Sequence, residues 1–344
     1  MCIRDSPSGD SYFSRQSLKY KRTIVKLMKK YKFISTYRFL NITEELKEPF
    51  TLMHGINIIN NKKEILKILN DEFQDMAGLI ESQHFMNANH ILFCEFDEED
   101  FNLDVSSKDA LILWLIWLEI LLRTSWLVKD NCIVCEFAYM QMTDNNHNEW
   151  TKNALMASTT LSSGEEFQEV EFNKNELIEW ESKSHKLQEY LHEKDSSMLN
   201  SFIEKKYSRL GRALRFVIAA IREKHTAIKI THYCSAFESL FSTDNAELSH
   251  KLSERIALFL KNYDYKASNV YDDIKLFYNI RSKVTHGDSL QDKKLNTIPE
   301  LSKRCDDYLR DIINIILKDS QLLDIFDGNK ENQDNYFKNL ILGT

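Results

Sequence analysis

The stretch Leu276-Phe-Tyr-Asn-Ile-Arg281-Ser-Lys-Val-Thr-His286-Gly287 decides how the second half of this 344-residue chain is read. With the residues before it, it forms a stripe of Val270, Ile274, Phe277, Arg281 and Val284, at spacings of 4, 3, 4 and 3. That is the period of one helix face. One arginine stands where an apolar residue would continue the seam. A charge there must be paired, snorkel to water, or serve a site. Gly287 suits the position just past a helix end, where the backbone turns left-handed. The helix then closes with His286 in its last turn, at the rim. On an ideal helix Arg281 and His286 lie roughly 140° apart. They meet on one substrate only through a distorted end turn or a second copy of the chain.

Helices are expected on both sides of this one. The first two run near 197–224 and 226–242. A third starts at Asp244-Asn-Ala-Glu247, an aspartate N-cap with glutamate three residues on. Its stripe is Leu248, Leu252, Ile256 and Phe259. The fourth covers 268–286. A fifth opens at Pro299-Glu300, with proline suited to the first turn. Five helices with short links predict an α-helical bundle over 196–320. Residues 321–344 read as a polar tail with a last apolar stretch at 336–342. Composition agrees: 8 Gly and 3 Pro are too few for a sandwich or barrel over the whole length. Neither Gly-rich phosphate-loop pattern can be assembled from those glycines.

Arg281-Ser-Lys-Val-Thr-His286 fits the Arg-x4-6-His motif of the HEPN superfamily. The wider context resembles its Apea-like branch, through Ala236-Phe-Glu238-Ser-Leu-Phe241, Leu252-Ser-Glu-Arg255-Ile-Ala and the 276–287 stretch itself. The resemblance covers roughly residues 200–320. It implies metal-independent RNA cleavage without a cofactor, in a homodimer with the two Arg–His helices side by side. It also implies a bacterial anti-phage defence or toxin effector, with an antitoxin or phage-derived trigger as a further partner. Many catalytic members carry Asn, Asp or His directly after the arginine; here it is Ser282, a shorter polar group. The same resemblance fits a non-catalytic module that binds RNA or a partner protein.

The chemistry stands on first principles. RNA carries its own nucleophile, the 2′-OH. Cleavage needs a base near neutral pH, a proton for the leaving 5′-oxygen, and positive charge for the phosphorane. Histidine has the pKa range for proton transfer. Arginine is a fixed, always charged fork for phosphate oxygens. His286 is therefore assigned the acid/base role and Arg281 the phosphate role. Glu238 is either the carboxylate that orients Arg281 across the bundle or an ordinary helix-surface acid. Lys205, Arg209 and Arg212 share one helix face by i, i+4, i+7 spacing, as a positioning surface for an RNA backbone or a solvated basic face.

Upstream, the pattern mixes strands and helices, so the fold class is mainly α, with an α+β region at 17–195 before the bundle. Length alone favours two domains. Strands are expected at 50–60, 90–96, 132–142 and 167–172, and helices at 62–82, 107–127 and 174–194. Asp144 to Asn148 is a polar turn. Residues 1–16 lack periodicity and are set aside as an artefactual or disordered leader. The basic stretch 17–33, with Tyr20, Tyr31 and Phe33, reads as a solvated face or an anionic-surface contact. Helix 107–127 is very apolar, but Glu119 and Arg123 interrupt it at i, i+4, so burial is expected rather than a membrane span.

The net charge of −7 hides an asymmetry. Residues 201–319 carry 21 Lys/Arg against 16 Asp/Glu, while the remainder is strongly acidic. A basic module on an acidic chain points to a polyanionic partner. The six cysteines form no dense framework, which fits a reducing, cytoplasmic setting. Cys132 and Cys135 have C-x-x-C spacing on a strand, where they point to opposite faces, so they read as buried thiols and not metal ligands.

Overall fold

The computed structural model describes residues 29–99, 106–144, 147–193, 208–243, 248–288 and 296–343. The first half is built on a six-stranded sheet. In chain order its strands are β1 (Lys30–Arg38), β3 (Phe50–Met53), β4 (Ile56–Ile59), β5 (Ile91–Asp97), β6 (Val134–Asp144) and β7 (His147–Ser158). In space the order is β3-β4-β5-β1-β6-β7, every neighbour antiparallel. A separate parallel pair joins β2 (Leu40–Ile42) to β8 (Val170–Phe172).

Helices cover both sheet faces. Three short ones, α1 (Lys62–Ile68), α2 (Asp71–Ala77) and α3 (Leu79–Asn87), lie on one side. Phe73 and Phe85 meet Tyr139 of β6 edge-on there, at 5.2 and 5.6 Å between ring centres. On the other side lies α4 (Ser107–Ser125), whose Trp114 stacks on Phe96 of β5 at 4.5 Å. Phe96 in turn stacks on Tyr31 of β1. Glu119 and Arg123 of α4 pair with each other. α5 (Lys174–Glu193) packs beside α4 through Trp180, whose indole N–H donates to the Leu121 carbonyl.

The second half is helical: α6 (Arg209–Arg222), α7 (Thr226–Phe241), α8 (Leu248–Lys261), α9 (Ala267–His286), α10 (Ile298–Lys318), α11 (Ser320–Asp327) and α12 (Lys330–Leu342). α7 is the central helix and packs against α6, α8, α9 and α10. No described helix is long and apolar enough to cross a membrane.

Several expectations are corrected. The 50–60 strand is a hairpin, because His54 and Gly55 take positive φ of 49° and 75° and turn the chain. The single helix expected at 62–82 is three, broken where Asn70 caps α2 and where Gly78 adopts φ 85°. β1 and β7 were not anticipated. Tyr31 and Phe33, expected on a solvated face, are core residues of the central strand. The polar 321–344 tail is two packed helices: Phe326 and Phe337 are buried against Phe241 and Phe259. Residues 1–16, most of the basic 17–33 stretch, Asn145-Asn146 of the expected turn and the Asp244–Glu247 cap lie outside the described residues. Cys94, Cys132, Cys135, Cys234 and Cys305 are buried free thiols.

One hydrophobic core runs through both halves, which meet at a seam. That seam holds a polar cluster whose Asp306 and Lys229 are fully buried. Asp306 of α10, fully buried, accepts from Trp126 Nε1 at 2.7 Å and Tyr233 OH at 2.6 Å, and it pairs with Arg310. Close by, the Lys229 ammonium donates to the carbonyls of Ala220 (2.8 Å) and Thr160 (3.2 Å). Asp130 accepts from both the backbone N–H and the hydroxyl of Ser162. Burial lowers the Lys229 pKa to about 8. Burial, then the charge of Asp306, raises that of Asp130 to about 6.

Candidate active site

α9 carries the arginine seam. Val270, Ile274 and Phe277 are buried, and Val284 is half-buried against the core, as the stripe requires. The helix closes on Gly287, at φ 75° and ψ 17°. The Gly287 N–H donates to Val284 O, and Asp288 N–H to Lys283 O at 2.9 Å. This pair of bonds is the Schellman arrangement. It uses carbonyls that the last turn would otherwise leave open. His286 is held in that last turn and is exposed.

Arg281 sits one turn inward, half-buried. Its Nη2 lies 3.2 Å from Glu238 Oε1, on α7, with both side chains only partly exposed. The same carboxylate oxygen accepts from Tyr278 OH at 3.1 Å, and that hydroxyl also lies 3.2 Å from the Cys234 carbonyl. The guanidinium stands over the Tyr278 ring at 6.0 Å, a cation–π distance. Burial holds the Tyr278 phenol well above its ordinary pKa, so it stays a proton donor to Glu238. Burial pushes the Cys234 thiol up as well. Arg281 Nε is buried and has no hydrogen-bond partner. Glu238 thus fixes one edge of the guanidinium and leaves donor capacity over.

Beside it opens a groove of about 840 Å³. Arg281, Ser282, Asn279, Lys275 and Asp272 line it from α9, and Ser249 faces them from α8. Arginine, lysine, asparagine and serine supply many donors for anionic oxygens. Tyr278, Lys275 and Asn279 were not singled out from sequence. Lys275, Asn279 and Ser282 recur at i, i+4, i+7, and that spacing was the available signal.

The expected residues are brought together only in part. Arg281 and Ser282 line the groove, and Glu238 holds Arg281 from α7. His286 is not among its lining residues: α9 stays helical to its end, so no distorted turn swings the imidazole round. Arg209 of α6 does not offer a free fork. Its Nη1 donates to the Ser242 carbonyl at 2.6 Å, at the end of α7, and burial lowers its pKa. Arg212 is half-buried beside it, and Lys205 lies outside the described residues. Among the described residues, no cluster of three or more His, Cys, Asp or Glu is placed to hold a metal ion. Compared with protein-family models, with curated proteins and with solved structures, the chain matches none.

Proposed function

We propose that this protein is a metal-independent endoribonuclease of the HEPN type, acting in the bacterial cytoplasm as an anti-phage or toxin effector. The observation that carries the reading is Arg281, half-buried, held by Glu238 and lining an open donor-rich groove. A guanidinium so placed supplies fixed positive charge where a phosphorane would form. His286, exposed on the same helix, supplies the proton transfers. As base it takes the 2′-OH proton while the 2′-oxygen bonds to phosphorus. The P–O5′ bond breaks, and an imidazolium returns a proton to the 5′-oxygen. The products are a 2′,3′-cyclic phosphate and a 5′-hydroxyl.

Because Arg281 and His286 diverge on a straight helix, one phosphate meets both only if a second copy contributes. A homodimer through the exposed face of α9, where Leu276 is 42% exposed, satisfies that need. The sheet-bearing part would then restrain the bundle or answer a trigger, such as an antitoxin or a phage product. The Arg281–Glu238 pair also favours a second reading. It satisfies a seam charge internally, as in a non-catalytic module that binds RNA or a protein.

The test is induced expression of wild type, His286→Ala and Arg281→Ala, with total RNA integrity and growth as readouts. RNA loss with wild type alone, undiminished by EDTA with purified protein, is expected. Equal harmlessness of all three at equal soluble levels, with phage infection as trigger, supports the non-catalytic reading. Dependence on a divalent ion would sink the metal-free mechanism.

A further inference from the structure

A second pocket lies away from α9, at the seam between the two parts of the molecule. α5 turns one stripe toward it: Asn175, Ile178, Ser182 and Lys186, with Glu179 and Lys183 alongside. Those positions recur every three or four residues, which is one helix face. α10 answers from the other part with Asn314, Leu317 and Lys318. The space is about 420 Å³, within the range of small-molecule sites.

Its chemistry is divided. Ile178, 46% exposed, and Leu317 make an apolar wall. Lys183, Lys186 and Lys318 bring three positive charges against one glutamate. Glu179 is already committed to Lys183 at 2.7 Å. Lys183 also donates to the Leu127 carbonyl at 2.5 Å, and Asn314 Nδ2 donates to the same oxygen at 2.9 Å. The turn after α4 thereby fixes one residue on each wall. Burial lowers the Lys183 pKa against the raising pull of Glu179, and like-charge repulsion from Lys318 and Arg310 adds to the lowering. The positive charge of this pocket is therefore not neutralised from within.

We propose that this pocket binds a nucleoside polyphosphate, with the base against Ile178 and Leu317 and the phosphates on Lys186 and Lys318. A planar heteroaromatic ring has an apolar face for that wall and a polar edge for the two asparagine amides. The Asn314 side-chain oxygen, its N–H₂ being held by Leu127, presents an acceptor. A phosphate chain matches the two ammonium groups, of Lys186 and Lys318, that Glu179 does not pair. The ligand would clamp α5 to α10 and so tighten the seam. The site is independent of the ribonuclease reading.

The test is isothermal titration of the full chain with ATP, GTP and inorganic tripolyphosphate, run on wild type, on Lys186→Glu with Lys318→Glu, and on Ile178→Asp. All three changed residues are exposed, so the variants are expected to fold, checked by circular dichroism. ATP or GTP should bind wild type, and the double charge reversal should weaken binding at least about tenfold. Tripolyphosphate should bind more weakly than the nucleotide, and Ile178→Asp should erase that difference. No nucleotide binding at millimolar concentration overturns the proposal, as does binding that survives the double reversal. Equal binding of tripolyphosphate and ATP overturns the nucleoside assignment. Binding of a single-stranded oligonucleotide but of neither nucleotide, lost in the double charge reversal, gives the pocket to a different partner and overturns it too.

Discussion

Two clusters in this molecule use the same chemical parts to opposite ends. At the seam, Asp306 faces Arg310, Tyr233 and Trp126. At the groove, Glu238 faces Arg281 and Tyr278. Each has a carboxylate, a guanidinium and a phenol, and α7 supplies a member to both. The seam carboxylate is fully buried, with donors on both oxygens. The groove cluster stands partly open, its arginine about one-third exposed and only one guanidinium nitrogen paired to Glu238. Closure with full satisfaction joins parts of a fold, whereas openness with spare donors is what a ligand requires.

The comparison breaks hardest at Asp306. Asp306→Ala leaves the donors of Arg310, Tyr233 and Trp126 facing a hole in a buried site. Removing one partner of a buried ion pair costs about 3–5 kcal/mol. Urea denaturation should show that loss, and the two parts should come apart in limited proteolysis. A loss under about 1 kcal/mol would mean that water reaches the seam.

The next effect depends on pH. The Asp130 pKa is raised from 3.8 to about 6 in the folded protein, so the folded state holds that proton more tightly. Its contribution to stability is full below about 3.8 and is lost as pH climbs through 6. Lys229 is lowered from 10.5 to about 8, so the unfolded state binds the extra proton between those values. Stability therefore rises with pH from about 8 to 10.5 on this group's account. The two together place a minimum between about 6 and 8. Wild type minus Asp130→Asn should isolate the acid limb in denaturation midpoints taken across pH. Wild type minus Lys229→Met should isolate the alkaline limb. Flat differences would show that both groups are solvated.

How much of this was legible in the sequence follows the periodicity. The α9 seam, the glycine end and the arginine out of place were readable, because 3.6-residue spacing and a left-handed cap are local properties. The Glu238 partnership was readable only as one of two options, since which carboxylate reaches an arginine across a bundle is settled by packing. β1 was missed because its Lys30, Lys32 and Arg38 masked the alternating Tyr31 and Phe33. β7 was missed because its polar residues gave no run of apolar positions. The last two helices looked like a tail because single aromatics, Phe326 and Phe337, carry their burial. The seam cluster was invisible, as it joins residues from 126 to 310 that share no local pattern.

Gly287→Ala is the milder change. Its φ of 75° suits glycine, but an added Cβ meets nothing within 4 Å. The cost is backbone strain alone, about 1 kcal/mol. The last turn of α9 should fray, seen as faster amide exchange at His286. If RNA cleavage falls with it while Arg281 stays paired, His286 works from a fixed position.

The smallest effect on folding is expected at Arg281 itself. The side chain is about one-third exposed, and its pair with Glu238 is worth at most about 1 kcal/mol after screening by solvent. Tyr278 still donates to Glu238 when the arginine is gone, so Arg281→Ala strands no buried carboxylate. Melting should shift by only a few degrees. Under the ribonuclease reading, cleavage should fall by about 10²-fold or more, the scale of losing a fixed charge at a phosphorane. Glu238→Gln separates the roles further. It keeps a hydrogen-bond acceptor for Arg281 and Tyr278 but removes the charge, so a modest cleavage loss makes Glu238 a positioning residue. If Arg281→Ala instead unfolds the protein as Asp306→Ala does, the groove cluster is a second seam. The contrast between the two sites then disappears.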